Sequence, residues 1–228
     1  MLFRHFKWFA AVGLAVLVCA APAAFAAPIQ GGQATLSALI GADGIQCGDK
    51  LFSDFGYLYG PDMPAASRVN VACITVAGNL GIRFQGGFGD SPGGGPSDAV
   101  ISYTVTVTDP RFVITDAHLQ GNAKVLGGTG IMSVVETFLP DAPNTMSIYD
   151  IVPGPHTQAD STIFATGHTT LHVQKDIYGL ATGDTSFATL SFVDQTYSQT
   201  AAVPEPGTLG LLGIGLLGLG GYSWRRRR

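Results

Sequence analysis

Few side chains in this sequence are suited to catalysis, and they are widely spaced. Only two glutamates occur, Glu136 and Glu205, and there is no Gly-x-Ser-x-Gly, His-Glu-x-x-His or P-loop motif. A glycosidase would have to pair Glu136 with an aspartate, or use two aspartates. Because Glu136 lies in an alternating stretch that contains threonine, we predict that it occupies a solvated strand face. The sequence therefore predicts no catalytic residue, and the chain is not expected to be an enzyme.

The histidines do not form a metal-binding pattern. His168 and His172 are four residues apart in Gly-His-Thr-Thr-Leu-His-Val, and the two threonines between them favour a strand. On one strand both imidazoles would point the same way but lie about 13 Å apart, too far to bind one metal ion. His118 and His156 have no ligand pattern beside them. We predict no metal site, while a Ser-His-Asp triad stays open because its members need not be adjacent in sequence.

Two further segments have the composition of a binding site. Asp90 and Asp98 flank a Gly- and Pro-rich stretch that offers oxygen ligands for calcium, although an acidic surface loop is the preferred interpretation. Exposed aromatic side chains bind sugars, and four aromatic residues lie close together at Phe52, Phe55, Tyr57 and Tyr59. The last three share strand parity with Leu51, so we predict that they fill the core.

Strands with two-residue periodicity would have to position these side chains. Residues 99–108 alternate apolar and hydroxyl side chains, and similar runs occur at 51–59, 69–77, 80–85, 112–119, 131–139, 145–152, 161–173 and 185–193. Turn clusters separate them, among them 86–87, 91–96, 127–130, 141–144 and 153–155. We predict an all-β body, residues 27–202, that folds as a single antiparallel β-sandwich, with a jelly roll as one form.

The negative net charge of this body limits the kinds of partner that it can bind. Residues 27–203 contain 6 basic and 15 acidic side chains, a net charge of 6 − 15 = −9. Such a surface is a poor partner for the phosphate backbone, so we expect no binding of nucleic acid. The sequence predicts no cofactor.

The N-terminus is typical of a secretory signal peptide, residues 1–26. Basic residues precede an apolar run from Trp8 to Ala20, and small residues at Ala24 and Ala26 fit cleavage by signal peptidase after Ala26. An uncleaved anchor is the alternative. Export then leaves two cysteines, Cys47 and Cys73, for which we predict a disulfide rather than two buried thiols.

The C-terminus, residues 203–228, combines a proline-flanked glutamate with an apolar segment and a basic end. Pro204, Glu205 and Pro206 precede the uncharged residues 208–224, and Arg225, Arg226, Arg227 and Arg228 follow them. Seventeen helical residues span about 25 Å, slightly less than a hydrocarbon core of roughly 30 Å. We predict a transmembrane helix over 208–224, followed by four arginines that stay on the cytoplasmic side. A permanent tail anchor is the alternative to a removable segment.

This order of features resembles the PEP-CTERM sorting signal of Gram-negative bacteria. The resemblance implies recognition of Pro204, Glu205 and Pro206 by exosortase, an integral membrane protease that cuts at or near the motif. It also implies export across the inner membrane, transient anchoring, and a final place at the cell surface or in the extracellular matrix, often in connection with exopolysaccharide. We therefore expect a structural or adhesive protein. The alternative is a secreted carbohydrate-binding or carbohydrate-active domain that uses the same route.

Overall fold

The computed structural model of the protein describes residues 27–202. The predicted signal peptide with Ala24 and Ala26, and the predicted sorting tail with its motif, helix and arginines, lie outside the described residues. Within residues 27–202, neither of the two short helices is long and apolar enough to cross a membrane.

The described chain is built almost entirely from strands. One short α-helix, α1 (Leu36–Leu39), and a 3-10 helix (Ala66–Arg68) interrupt them. The strands are β1 (Ile29–Gln30), β2 (Gln33–Thr35), β3 (Ile45–Cys47), β4 (Lys50–Tyr59), β5 (Asn70–Val76), β6 (Asn79–Asp90), β7 (Ser97–Val107), β8 (Phe112–Gly121), β9 (Lys124–Leu126), β10 (Gly130–Phe138), β11 (Ala142–Val152), β12 (His156–Thr157), β13 (Ala159–His168), β14 (Thr170–Ala181) and β15 (Phe187–Ala201).

The strands form two sheets, which confirms the predicted β-sandwich. The eight-stranded sheet has the order β1-β3-β4-β7-β14-β10-β11-β12. The seven-stranded sheet has the order β13-β8-β15-β6-β5-β2, and β9 pairs with β15. Among the described strands, every pairing except the parallel β1–β3 pair is antiparallel.

The central eight strands follow the pairing of a jelly roll. The innermost pair is β10–β11, and the pairs β8–β13, β7–β14 and β6–β15 enclose it in turn. These four nested pairs form one long hairpin that folds over itself. As a result, β7-β14-β10-β11 lie in one sheet and β6-β15-β8-β13 lie in the other. Apart from the β10–β11 hairpin, which stays in one sheet, consecutive strands of this set therefore alternate between sheets, and β4 and β5 each extend one of them.

The two inner faces bury one shared apolar core. On β7, alternate residues from Ala99 to Val107 are buried, as the two-residue period predicts. Residues from both sheets meet in this core, for example Ile101 and Val134 from one sheet with Phe84 and Leu119 from the other. Burial of aliphatic and aromatic side chains contributes about 1.5–3 kcal/mol each, so this face is the main source of stability.

Three details of the strand prediction are wrong. Residues 161–173 are not one strand, because the chain leaves β13 at His168 and enters β14, in the opposite sheet, at Thr170. Residues 86–87 do not form a turn. They lie inside β6, opposite a register shift between Leu190 and Phe192 on β15, where the strand bulges. Residues 142–144 already belong to β11.

Candidate functional site

Cys47 and Cys73 are joined by a disulfide, with their Cα atoms 5.4 Å apart. Cys47 ends β3 in the eight-stranded sheet, and Cys73 lies in β5 of the seven-stranded sheet. The bond therefore links the two sheets near one edge of the sandwich. It stabilises the body and leaves no thiol for chemistry among the described residues.

His168 and His172 do not lie on one strand, contrary to the prediction. The chain crosses between the sheets at Thr169, so each imidazole belongs to a different sheet. His172 makes two hydrogen bonds to the Asp141 carboxylate. Its backbone N–H lies 2.6 Å from Asp141 Oδ2, and its Nδ1 lies 2.9 Å from the same oxygen. Partial burial raises the pKa of Asp141, but these hydrogen bonds outweigh it and hold the pKa below its usual range. Within residues 27–202, no three His, Cys, Asp or Glu side chains converge on a position for a metal ion.

Asp90 is part of the interior rather than of an acidic surface loop. It is buried at the end of β6, where Oδ1 accepts the Ser97 hydroxyl at 2.7 Å and Oδ2 accepts the Ala181 N–H at 2.7 Å. These bonds tie β6 to β7 and β14, so the Asp90 carboxylate has a structural role. Asp98 is exposed on β7.

A β-bulge in β4 changes the orientation predicted for its aromatic residues. Asp54 has φ +55°, and the pairing with β7 shifts between Ser53 and Gly56. Phe52 and Phe55 are consequently both buried, whereas Leu51 lies on the outer side. The prediction that Phe55 fills the core is confirmed, but the shared parity with Leu51 is wrong.

Tyr57 and Tyr59 form a stacked pair at the rim of the sandwich. Their ring centroids are 5.0 Å apart with the planes inclined by 15°. Tyr57 is half-buried and donates its hydroxyl to the Pro64 carbonyl at 2.8 Å. Burial, together with the neighbouring Tyr59, raises the pKa of Tyr57. Tyr59 is 50% exposed, so it does not fill the core as predicted.

Two adjoining clefts open beside this pair, and we call them the rim cleft. One, of about 780 Å³, is lined by Tyr59, the 61–68 segment and Gly87. The other, of about 370 Å³, shares Asp62 and Gly87 and is also lined by Phe187, which is 46% exposed. Exposed aromatic side chains thus flank an exposed carboxylate, Asp62. Apolar faces beside a polar acceptor suit a sugar ring, which has both apolar and hydroxyl surfaces.

A second polar group lies in the core, and we call it the buried triad: Glu136, Lys175 and Gln195. All three side chains are 0% exposed. Glu136 and Lys175 are directly opposite each other on β10 and β14, and the Lys175 Nζ donates to Glu136 Oε2. The same Nζ donates to Gln195 Oε1, on β15 of the other sheet, at 2.7 Å. The prediction of a solvated Glu136 is wrong.

The surroundings of the buried triad disfavour the charged forms of Glu136 and Lys175. Tyr103 and Tyr197 are buried beside it, with their hydroxyl oxygens 2.9 Å apart. Burial raises the pKa of Glu136 and lowers the pKa of Lys175, although each ion also favours the other's charged form. Within residues 27–202, Glu136 Oε1 and Gln195 Nε2 have no hydrogen-bond partner. A buried polar atom without a partner costs about 1–3 kcal/mol, so the hydrogen bonding of the triad is energetically incomplete.

Strand parity contains a signal for this triad that our sequence interpretation missed. Glu136 shares its face of β10 with Met132, Val134 and Phe138, which are all buried. Lys175 likewise follows Leu171 and Val173 and precedes Ile177 on the inner face of β14. A charged residue at the apolar parity of a strand predicts a buried charge, whereas the threonine content of the same strand describes its outer face.

Comparison with known proteins places the C-terminus in a recognised class. Residues 202–228 match the family described as PEP-CTERM protein-sorting motif. This match confirms the resemblance seen in the sequence, and it begins one residue after β15 ends at Ala201. No curated protein matches this sequence.

Two solved structures resemble parts of the body at low similarity. The enzymatically active domain of tailspike protein 4 from bacteriophage CBA120 is 15% identical, with a TM-score of 0.27, over 67% of this chain and 20% of that chain. A carbohydrate-binding module, TmCBM27, described for specific mannan recognition, is 10% identical with a TM-score of 0.30, over 68% of this chain and 90% of that chain. Similarity of this degree does not bear on function.

Proposed function

We propose that this chain is an exported, non-enzymatic β-sandwich protein that exosortase sorts to the cell surface or the extracellular matrix, where it has a structural or adhesive role. The observation that carries this proposal is the PEP-CTERM protein-sorting motif at residues 202–228. The body leads directly into it, since β15 ends at Ala201. Signal peptidase would act first, after Ala26, and exosortase would then process the tail.

The tail divides its tasks among three groups of residues. Pro204 and Pro206 keep the recognised segment extended and free of backbone donors, so that a protease can bind it as a strand. The apolar segment 208–224 fixes the depth of this segment in the membrane, and the terminal arginines fix its orientation. Glu205, between the prolines, supplies the charged group for recognition.

The test separates recognition from membrane insertion. The double change Glu205→Ala and Pro206→Ala leaves the apolar segment and its charges intact, so insertion persists while processing stops. We expect a membrane-bound form that is longer than the wild-type product by about 25 residues, the length of the matched tail. The matched control is Thr208→Ala, two residues after Pro206. If wild-type protein also retains Arg225–Arg228 in intact-mass measurements, the tail is a permanent anchor.

The rim cleft favours a second candidate function, binding of carbohydrate, with exopolysaccharide as the partner. Tyr59 and Phe187 would provide apolar faces for sugar rings, and Asp62 would accept hydroxyl groups. This function is compatible with adhesion, because a matrix protein must contact the polymer around it. The rim cleft is the surface that we propose for this alternative, a secreted carbohydrate-binding domain.

Co-purification with extracellular polysaccharide tests this candidate. The change Tyr59→Ala should reduce the amount of polysaccharide that remains bound to the purified protein. Leu58→Ala is the matched control, since Leu58 is the neighbouring residue, 74% exposed on the opposite face of β4. Equal retention by the wild type and both variants would show that the rim cleft does not bind the polymer.

A further inference from the structure

We propose that the buried triad is a self-crosslinking site, at which Lys175 and Gln195 form an intramolecular isopeptide bond with Glu136 as the proton carrier. Three observations carry this inference. The nucleophile, the amide and an acid meet in one place, all three side chains are fully buried, and they come from both sheets. The tail and its sorting play no part in it.

The geometry brings the amine close to the amide carbon. Lys175 Nζ lies 2.7 Å from Gln195 Oε1, so a small rotation of the amide places Cδ within attacking distance of the nitrogen. Because β14 and β15 are held by their neighbours in each sheet, the two side chains cannot diffuse apart. Such fixed proximity replaces the high concentration that a bimolecular amide exchange would require.

The buried setting provides a neutral amine. Moving a proton from Lys175 Nζ to the Glu136 carboxylate converts two buried ions into two neutral groups, which the low dielectric of the core favours. The shifts of the two pKa values have this direction, with that of Glu136 raised and that of Lys175 lowered by burial. The resulting amine has a free electron pair for attack.

The bond-forming step balances without any co-reactant. The Nζ lone pair attacks Gln195 Cδ, and the carbonyl electron pair moves onto Oε1. Glu136 gives its proton to Nε2 and takes one from Nζ. The Cδ–Nε2 bond then breaks as the carbonyl re-forms, and ammonia leaves. The products are one Nζ–Cδ amide, one ammonia and a protonated Glu136.

This reaction gives a role to the Gln195 amide nitrogen, one of the buried atoms of the triad that lack a partner among the described residues. Gln195 Nε2, which donates no hydrogen bond within residues 27–202, is the leaving group. The amide then joins β14 of the eight-stranded sheet to β15 of the seven-stranded sheet. Together with the Cys47–Cys73 bond it would fasten the sheets at two places, which suits a protein that bears load outside the cell.

Tryptic digestion of the purified full chain, unfolded in denaturant, tests the proposal. Lys175 is the only tryptic site between Lys124 and Arg225, and an acylated lysine is not cleaved. We expect no cleavage after Lys175, and a peptide lighter than its sequence mass by one ammonia. Fragmentation should locate the link between Lys175 and Gln195. Cleavage after Lys175 with unchanged masses would overturn the proposal, as would loss of water with a Lys175–Glu136 link.

Two variants give matched controls on the same readout. Glu136→Gln preserves the shape of the side chain but cannot carry the proton, so cleavage after Lys175 should return. Gln195→Glu should form the same amide by losing water, and its crosslinked peptide should therefore have the same mass as the wild-type one. Because wild-type protein alone can refute the bond, a variant that fails to fold does not weaken the test.

Discussion

At the residue scale, the most consequential feature is a charge placed where the strand pattern demands an apolar side chain. Glu136 and Lys175 occupy the inner faces of β10 and β14, beside Val134 and Val173. A buried pair of ions repays its desolvation only with good geometry and full hydrogen bonding. Glu136 Oε1 has no hydrogen-bond partner in the described part of the chain, so this condition is not met there, and we therefore propose a chemical role for the pair.

The cost of an isolated charge at this place can be measured. Lys175→Met removes the proposed amide and leaves Glu136 buried without its neighbour on β14, and we expect the free energy of unfolding to fall by at least about 3–5 kcal/mol. Adding Glu136→Leu should recover part of this loss, because the double variant also lacks the amide but no longer buries a carboxyl group. Both variants lack Lys175, so the difference between them in urea unfolding reports the buried carboxyl group alone. Equal stability of the two would mean that Glu136 is readily accommodated as a neutral acid.

The disulfide supports a second prediction at this scale. Replacing both Cys47 and Cys73 by serine removes a link that closes a loop with a sequence separation of 26 residues. The chain-entropy model gives a loss of roughly 3 kcal/mol for a loop of this size, through greater freedom of the unfolded state. Urea unfolding of the oxidised wild type and the double variant measures it. If mass spectrometry of the non-reduced wild type finds two free thiols, the expected difference disappears.

At the element scale, alternation of apolar and polar residues was sufficient to predict most strands but not their irregularities. The runs near β4, β7, β8 and β10 match the structure closely, because each forms a half-buried antiparallel strand. The bulge at Asp54 changes which side chains of β4 face the core, and the two-residue period of the sequence does not predict it. The same holds for the crossing at Thr169, where one apolar run continues from one sheet into the other.

The sites were less predictable than the strands, because their residues are far apart in the sequence. The buried triad and the rim cleft each combine residues that are distant in sequence, such as Glu136 with Gln195 and Tyr59 with Phe187. Only the sandwich topology brings them together. In contrast, the sorting motif is contiguous, and its order of residues was readable without any structure.

Close approach of β6 and β15 leads to a prediction about a strand glycine. A Cβ atom on Gly81 would overlap the backbone carbonyl oxygen of Gln195, so Gly81→Ala must push the two strands apart. We expect a loss of about 1–3 kcal/mol in the free energy of unfolding, the usual cost of overpacking. Gly87→Ala, in the same strand, is the control, because a Cβ there meets nothing within 4 Å. Similar losses in both would attribute the effect to strand propensity instead.

At the scale of the whole molecule, the proposed function assigns separate tasks to the body and the tail. The jelly roll closes on itself through β15, its last and longest strand, and the sorting motif begins at residue 202. Within the described residues β15 pairs with β6, β8 and β9 of the sandwich, so we expect the body to fold without the tail. Removal of the tail would release a complete sandwich.

This arrangement predicts where the body lies while it is still attached. In the Glu205→Ala, Pro206→Ala variant, four terminal arginines resist transfer across the inner membrane, so the body should be on the periplasmic side. A protease added to intact cells should leave the variant whole. After the outer membrane alone is opened, cleavage in the short segment between Ala201 and the apolar run should release the folded body. A periplasmic marker enzyme and a cytoplasmic one control for the integrity of each membrane. If release requires lysis of the inner membrane, the body is cytoplasmic and the assignment of this chain to export and exosortase sorting is wrong.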